Sequence, residues 1–132
     1  MNRLRTRVRE LFTRTPVGQT GRMSDLELLT LERRDDGVAL LTLANGKVNA
    51  MSGELVGELH TAAHALAADL PAAVVVTGGE RIFAAGADIS QFGGQDEAGP
   101  ITANIHAAFD ALARLRQPVI AVLDGHALGG GL

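Results

Sequence analysis

Apolar and polar residues alternate along the first half of the chain in a pattern that predicts a hairpin, a helix and a buried strand. Two apolar runs, LELLTLER (26–33) and VALLTLAN (38–45), flank the turn-forming RDDG and predict the hairpin. After Ser52, a favourable N-cap, leucine and alanine recur at helical spacing as far as Pro71. The run AAVVVTG (72–78) has the continuous β-branched character of a strand that is buried on both faces.

The second half of the chain follows a similar order, with a long loop at its start. A glycine-punctuated loop over 78–100 precedes a predicted helix over about 101–115. One face of that helix carries Ile101, Ile105, Ala108, Leu112 and Leu115. Pro118 breaks the helix, VIAVL (119–123) predicts another buried strand, and the glycine turn GHALGGG (125–131) follows. This order predicts an α/β fold, with either a largely parallel sheet or a stacked ββα arrangement.

Composition limits the classes of protein to which the chain can belong. Its 132 residues, 46% of them hydrophobic, suffice for one modest globular core. The absence of cysteine excludes disulfides, thiolate metal sites and a cysteine nucleophile, and it is compatible with the cytoplasmic location that we expect. No apolar run approaches the ~20 residues of a membrane helix, so we expect no membrane span.

The first 23 residues differ in charge from the rest of the chain. Residues 1–22 carry six arginines and one acidic residue, whereas the remaining residues carry six basic and fourteen acidic side chains. The acidic body argues against nucleic acid as a partner. The arginine-rich head resembles an organelle transit peptide, but a disordered basic arm or a start assigned upstream of Met23 is favoured. We therefore expect residues 1–23 to lie outside the folded domain, which spans 24–132.

Two glycine-containing loops place unusual demands on the backbone, and each follows a predicted buried strand. FAAGAD (83–88) comes after the strand over 72–78, and GHALGGG (125–131) comes after the strand over 119–123. In parallel α/β sheets, ligands collect at the carboxyl ends of the strands. Glycine has no Cβ, so a neighbouring N–H in each loop can point at a ligand without obstruction. Two such donors on one oxygen meet the requirement of an oxyanion hole.

Side chains suited to acid–base, nucleophilic or metal chemistry are sparse. The glycine segments match neither the dinucleotide fingerprint nor the phosphate loop. His60 and His64 lie four residues apart on the first helix and can share a metal, but no glutamate stands between them, so a solvated pair is favoured. Asp88 is expected to cap ADISQF rather than to transfer protons. The residues therefore predict a hole for an oxyanion and no convincing acid or base.

Three segments of the chain resemble the signatures of the crotonase (enoyl-CoA hydratase/isomerase) family. They are VNAMS at 48–52, VVVTGGERIFAAGADISQF at 74–92 and PVIAVLDGHALGGGL at 118–132, and they occur in the family's order. The first segment by itself is only weakly specific for the family, and the second is specific. The three together are strong evidence for the resemblance. The resemblance covers residues 24–132 and implies the N-terminal half of a crotonase-like α/β fold, a spiral of stacked ββα units.

The resemblance also implies a substrate and the residues that bind it. Members of the family bind acyl-coenzyme A thioesters and assemble as trimers or hexamers. Coenzyme A is thus expected as part of the substrate, with no separate cofactor and no metal. By match to the family's motifs, the backbone N–H groups of Ala87 and Gly130 are the oxyanion donors. The residues expected along the CoA moiety are Ala85, Ala87, Asp88, Ile89 and Ser90. Some members carry a lysine that approaches the CoA phosphates where this chain has Ser90.

Hydration of a 2-enoyl-CoA, a step of fatty-acid β-oxidation, is the reaction that the resemblance implies for the intact enzyme. Hydratases of the family activate water with two glutamates, the first of which follows the GGG by two positions. Here the GGG is 129–131 and Leu132 is the last residue, so we expect little or no hydratase activity from this chain alone. Double-bond isomerisation is the nearest alternative reaction. A truncated, non-catalytic fragment that binds CoA esters or pairs with another subunit is the alternative from a different class.

Overall fold

The computed structural model describes residues 26–132, apart from residues 79, 92 and 94 and the side chains of residues 95–98. Its strands are β1 (Leu29–Arg33), β2 (Val38–Leu43), β3 (Ala50–Met51), β4 (Ala73–Thr77), β5 (Ile82–Ala84), β6 (Gly86–Ala87), β7 (Val119–Val122) and β8 (His126–Ala127). The helices are α1 (Gly53–Ala68) and α2 (Gln95–Ala113), and 3-10 turns cover Ile89–Gln91 and Gly129–Gly131. The arginine-rich head predicted over 1–23 lies outside the described residues, so the proposed domain boundary stays a prediction.

The four longest strands form one mixed sheet in the order β1-β2-β4-β7. β1 and β2 pair antiparallel, whereas β2, β4 and β7 pair in parallel. Gly37 closes the hairpin between β1 and β2 with a φ of +85°, a conformation that glycine adopts without steric cost. Two short parallel ladders join β3 to β6 and β5 to β8. The predicted hairpin and the predicted parallel sheet are both confirmed.

Helix α1 begins and ends where the sequence predicts. The Ser52 hydroxyl accepts a hydrogen bond from the Leu55 N–H at 3.2 Å and so caps the helix. The helix ends at Ala68, three residues before Pro71. Its buried face comprises Leu55, Val56, Leu59, Ala62, Ala63 and Leu66. None of the described helices is both long enough and apolar enough to cross a membrane.

The hydrophobic core lies between the sheet and the two helices. The sheet contributes alternate residues of β1 and β2 together with Val74 and Val76 of β4. Leu29, Leu41 and Leu59 are 0%, 0% and 1% exposed, and each fully buried leucine stabilises the fold by about 1.5–3 kcal/mol. From α2 the core receives Ile105, Ala108 and Leu112.

Helix α2 begins earlier than the sequence predicts, at Gln95 instead of residue 101. The prediction ended the loop at Pro100, but this proline is the sixth residue of the helix. At this position the missing N–H removes one backbone hydrogen bond, to the carbonyl four residues earlier, because only the first four N–H groups of a helix lack partners; the helix nevertheless continues through Pro100. The predicted loop over 78–100 is also shorter than expected, since it contains β5 and β6.

Strand β7 is present as predicted, but the prediction that it is buried is wrong. Val119 and Ile120 are 38% and 50% exposed, and Leu123, just after the strand, is 52% exposed. β7 is an edge strand, with β4 on one side and no further strand of the described residues on the other. An apolar run predicts a strand from its own residues, whereas burial depends on which elements pack against it.

Candidate active site

The first glycine loop is held by the segment that precedes α1. β3 and β6 pair in parallel, which sets Met51 opposite Ala87. The Ala85 N–H donates to the Val48 carbonyl at 3.0 Å, and the Asp88 N–H donates to the Met51 carbonyl at 3.3 Å. Because the backbone is tied to the facing segment on both sides of Ala87, the orientation of that peptide is fixed in the fold.

Asn49 anchors the same loop through its side chain, and the sequence pattern did not single it out. The residue is 3% exposed and has a φ of +48°. Its Oδ1 accepts from the Asn45 N–H at 2.8 Å, and its Nδ2 donates to the Phe83 carbonyl at 3.1 Å. A buried amide without partners is costly, so these bonds satisfy the side chain and join two segments at once. An asparagine in a turn indicates tolerance of positive φ, but it does not reveal a partner 34 residues away.

The two glycine loops meet at Gly86. Its φ of +95° lies in the region that favours glycine. A Cβ built on Gly86 would lie 2.9 Å from the Leu128 carbonyl oxygen and 3.3 Å from the Gly130 nitrogen. Conversely, a Cβ built on Gly130 would lie 3.8 Å from the Ala87 nitrogen. The backbones of the two loops are therefore in direct contact, and the nitrogens of Ala87 and Gly130 both border the contact.

The three consecutive glycines form a 3-10 turn over Gly129–Gly131. The two hydrogen bonds that close this turn use the N–H groups of Gly131 and Leu132, so the N–H of Gly130 is not one of their donors. A Cβ on Gly131 would lie 2.5 Å from the Ala84 carbonyl oxygen, a separation that side chains do not occupy. Glycine is thus required at this position because the turn packs directly against the end of β5.

Asp88, Ile89 and Ser90 lead from the first glycine loop into the 3-10 turn that follows it. The Asp88 Oδ1 accepts from the Ser90 N–H at 3.0 Å and from the Ser90 hydroxyl at 2.6 Å. The expected capping role of Asp88 is therefore confirmed. Ile89 is 84% exposed and Ser90 is exposed, whereas Ala85 is half-buried. An exposed loop with one apolar side chain thus lies immediately beyond Ala87.

Gln91 joins this loop to the start of α1, a link that the sequence pattern did not predict. Its Oε1 accepts from the Gly53 N–H at 2.8 Å, and its Nε2 donates to Oε2 of Glu54 at 3.1 Å. The pKa of Glu54 is lower than its ordinary value of 4.5 because hydrogen bonds stabilise the ionised carboxylate. The largest contribution comes from the backbone N–H of Glu54 itself, and smaller ones come from the Gln91 amide and the Ser52 hydroxyl. A carboxylate kept ionised in this way stabilises the helix N-terminus and is a poor proton donor at neutral pH.

An apolar cavity of about 200 Å³ opens beside the glycine turn. Side chains from the sheet and both helices form its wall together with the backbone of the turn. The lining residues are Leu43, Met51, Leu59, Val76, Phe83, Phe109, Leu112, Ala121, Gly130, Gly131 and Leu132. None of these residues has an ionisable side chain. The cavity therefore suits an apolar group next to Gly130, and its lining side chains supply no acid or base.

The histidine pair predicted on the first helix is brought together by the fold. The Nε2 atoms of His60 and His64 lie 3.3 Å apart on α1. Within the described part of the chain, no group of three or more His, Cys, Asp or Glu side chains is placed to hold a metal ion.

Comparison with known proteins assigns the chain to a family. A family model described as enoyl-CoA hydratase/isomerase matches residues 33–132. The chain belongs to the enoyl-CoA hydratase/isomerase family. The probable enoyl-CoA hydratase echA8 of Mycobacterium tuberculosis is 38% identical over 103 residues, which cover 76% of this chain and 40% of that protein.

A second relative is much longer than this chain. The glyoxysomal fatty acid beta-oxidation multifunctional protein MFP-a of Cucumis sativus is 37% identical over 108 residues, or 77% of this chain and 15% of that protein. This enoyl-CoA hydratase/isomerase family chain therefore spans less than half the length of either relative.

Solved structures confirm the crotonase-like fold for the portion that this chain contains. Pseudomonas aeruginosa DspI has a TM-score of 0.77 at 32% identity, and the match covers 86% of this chain and 48% of that one. An enoyl-CoA hydratase from Bacillus anthracis has a TM-score of 0.75 at 27% identity, with 80% of this chain and 43% of that one covered. The family predicted from the three sequence signatures is thereby confirmed.

Proposed function

We propose that this chain binds a coenzyme A thioester and polarises its carbonyl group between the backbone N–H groups of Ala87 and Gly130. The observation that carries the proposal is the contact between Gly86 and the 128–130 backbone, which brings two nitrogens from separate loops to one place. An oxyanion hole requires two preorganised donors about 2.7–3.1 Å from the oxygen that gains charge. Loops fixed by backbone hydrogen bonds and by Asn49 provide such preorganisation without any charged side chain.

The proposed ligand fits the surroundings of the hole on two sides. The cavity beside Gly130 has an apolar lining and takes the acyl group. The lining includes Phe83, the first residue of the first glycine loop. Further along this loop Ala85, Ala87 and Asp88 are half-buried and Ile89 and Ser90 are exposed, and this stretch is proposed to lie along the CoA moiety. In this arrangement Asp88 acts through Ser90 as a brace of the loop, since its Oδ1 already accepts two hydrogen bonds.

For the whole protein we propose hydration of a 2-enoyl-CoA. Addition of a hydroxyl group to C3 of the enoyl chain shifts electron density through C2 onto the thioester oxygen, and a proton then adds to C2. Donors that hold this oxygen stabilise the enolate-like transition state, and removal of one such donor typically costs about 2.7–4 kcal/mol. Double-bond isomerisation proceeds through an enolate as well and stays the nearest alternative for the same site.

The 132-residue chain alone is proposed to bind the thioester without hydrating it. The side chains that line the cavity carry no acid or base. The one carboxylate of the first glycine loop, that of Asp88, is engaged by Ser90. Each missing general acid or base lowers the rate by about 10²–10⁴-fold, so turnover is expected to be small even where binding is intact.

Other features that the sequence predicts stay predictions. These are the trimeric or hexameric assembly of the intact protein, its cytoplasmic location and the absence of a cofactor beyond the CoA of the substrate.

Calorimetric titration of the full 132-residue chain with two ligands tests the binding proposal. Crotonyl-CoA has the thioester carbonyl, whereas the thioether S-but-2-enyl-CoA lacks it and keeps the same four-carbon chain with its double bond. Two hydrogen bonds to the carbonyl predict about tenfold tighter binding of crotonyl-CoA. Equal affinities would contradict the oxyanion hole, and failure of both ligands to bind would contradict the CoA site itself.

A hydration assay with crotonyl-CoA on the same preparation tests the proposal that the chain alone does not catalyse. We expect little or no turnover of the bound thioester. Turnover comparable to that of a full-length hydratase of the family would overturn this part of the proposal and leave the binding site unaffected.

A further inference from the structure

Helix α1 carries a pair of histidines that the proposed acyl-CoA chemistry does not use. His60 and His64 are one helical turn apart, with ring centroids 4.5 Å apart and ring planes at 73°. Their closest polar atoms are the two Nε2 atoms, at 3.3 Å. This separation is within hydrogen-bond distance, and an imidazole Nε2 that accepts a hydrogen bond does so through the same lone pair that binds a metal.

The separation of the two Nε2 atoms matches the geometry of a bound metal ion. Two imidazole nitrogens at 2.0–2.1 Å from a tetrahedral ion are about 3.3–3.4 Å apart, and two neighbouring ligands of a square-planar ion are about 2.9 Å apart. The observed 3.3 Å falls within this interval. Rotation about χ2, a soft torsion in histidine, aims both lone pairs at one ion without moving the helix.

The surroundings of the pair limit which ligands complete the site. His64 is exposed and His60 is half-buried, so the ion is reached from solvent. Glu58, the nearest acidic residue along the helix, accepts hydrogen bonds from the N–H groups of Glu27 and Leu28, both at 2.9 Å. No third metal-binding side chain joins the pair among the residues that the structure describes. The remaining coordination positions are therefore left to water.

We propose that His60 and His64 form a two-histidine chelate on the exposed side of α1 for one late first-row divalent ion, with water in the other positions. Imidazole ligands suit Cu²⁺, Ni²⁺ and Zn²⁺, and a site of this kind binds Cu²⁺ most tightly. The whole chain holds four histidines and no cysteine, so few other strong metal ligands compete with the pair. This inference is independent of the proposed CoA site.

Titration of the full chain with Cu²⁺ and, separately, with Ni²⁺ tests the chelate. Calorimetry is expected to show one ion per chain. His64→Ala is expected to weaken binding by about 10²-fold, because the second imidazole of a chelate acts at high effective concentration. The substituted position is exposed, so circular dichroism should show the same helix content in the variant as in the original chain.

A relocated pair provides the matched control. The double variant H64A/A67H keeps four histidines but separates the two on α1 by seven residues, too far for one ion to bridge. Ala67 is exposed, so the replacement fits at the surface. The proposal expects the double variant to bind as weakly as His64→Ala, whereas His106→Ala should bind like the original chain. Equal affinity of the original chain and H64A/A67H would overturn the chelate, as would an affinity unaffected by His64→Ala.

Discussion

Strands β4 and β7 have similar sequences and opposite environments. Val74 of β4 lies opposite Val119 of β7 in the parallel register, and the two are 0% and 38% exposed. The next pair, Val75 and Ile120, is 4% and 50% exposed. β4 has a strand on each side, and its Val74 and Val76 belong to the hydrophobic core, whereas β7 pairs with β4 alone among the described strands. Local apolar character therefore selects the strand conformation, and position in the sheet decides the burial.

The loops that follow these two strands differ in what holds them in place. The loop after β4 is held by backbone bonds to the segment before α1 and by the Asn49 side chain. The loop after β7 contacts the first loop at Gly86 and packs on the end of β5 through Gly131. The second donor of the proposed oxyanion hole thus takes its position from the first loop, so damage to the first loop should affect both donors.

Aspartate substitution at the paired residues Val74 and Val119 should give the largest difference in the free energy of unfolding. Val74→Asp places a charge in the core without a partner, which costs several kcal/mol and should abolish cooperative unfolding. Val119→Asp places the charge at the exposed edge of the sheet, where the cost should stay below about 1 kcal/mol. Urea denaturation followed by circular dichroism measures both. Similar losses in the two variants would show that β7 is buried in solution.

Loss of the Asn49 side chain should have the next largest effect. Asn49→Ala removes the bond to the Phe83 carbonyl and leaves that buried acceptor without the amide, so we expect a loss of about 1–3 kcal/mol. Asn104→Ala on the exposed surface of α2 is the control and should change stability by less than about 0.5 kcal/mol. If denaturant midpoints for the two variants coincide, Asn49 does not anchor the loop.

Much of this arrangement could be predicted from the sequence because it rests on local rules. Ser52 caps a helix by bonding three residues ahead, and the glycine segments after two strands indicated a shared site. The features that were missed depend on contacts between distant residues. The partner of Asn49 is Phe83, the partner of Gln91 is Gly53, and the exposure of Ile120 follows from its place at the edge of the sheet. No spacing along the chain encodes these contacts.

Substitution of Glu54 at the start of α1 should have the smallest effect on stability, and it should be visible as a change in how Tm depends on pH. Because the pKa of Glu54 is lower in the folded chain than its ordinary 4.5, ionised Glu54 stabilises the fold above that pH. The contribution is lost as pH falls through the folded-state pKa. Glu54→Gln should therefore show a slightly smaller drop in Tm between about pH 6 and about pH 3 than the original chain. Asp36, whose pKa is lowered by its hydrogen bond to Arg34, stays unchanged in both proteins and serves as the shared background.

The carbonyl stretching frequency of bound crotonyl-CoA, labelled with ¹³C at the thioester, tests the oxyanion hole most directly. In the original chain the band should move to lower frequency, because two N–H donors draw electron density onto the oxygen. Gly86→Ala should abolish the shift, since its Cβ would meet the Leu128 carbonyl at 2.9 Å and displace the loop that carries Gly130. Gly46→Ala is the matched control: Gly46 has a φ of +62° and nothing within 4 Å of the added Cβ, so it keeps the shift. An unchanged frequency in the original chain, or an equal shift in Gly86→Ala, would contradict the two-loop oxyanion hole.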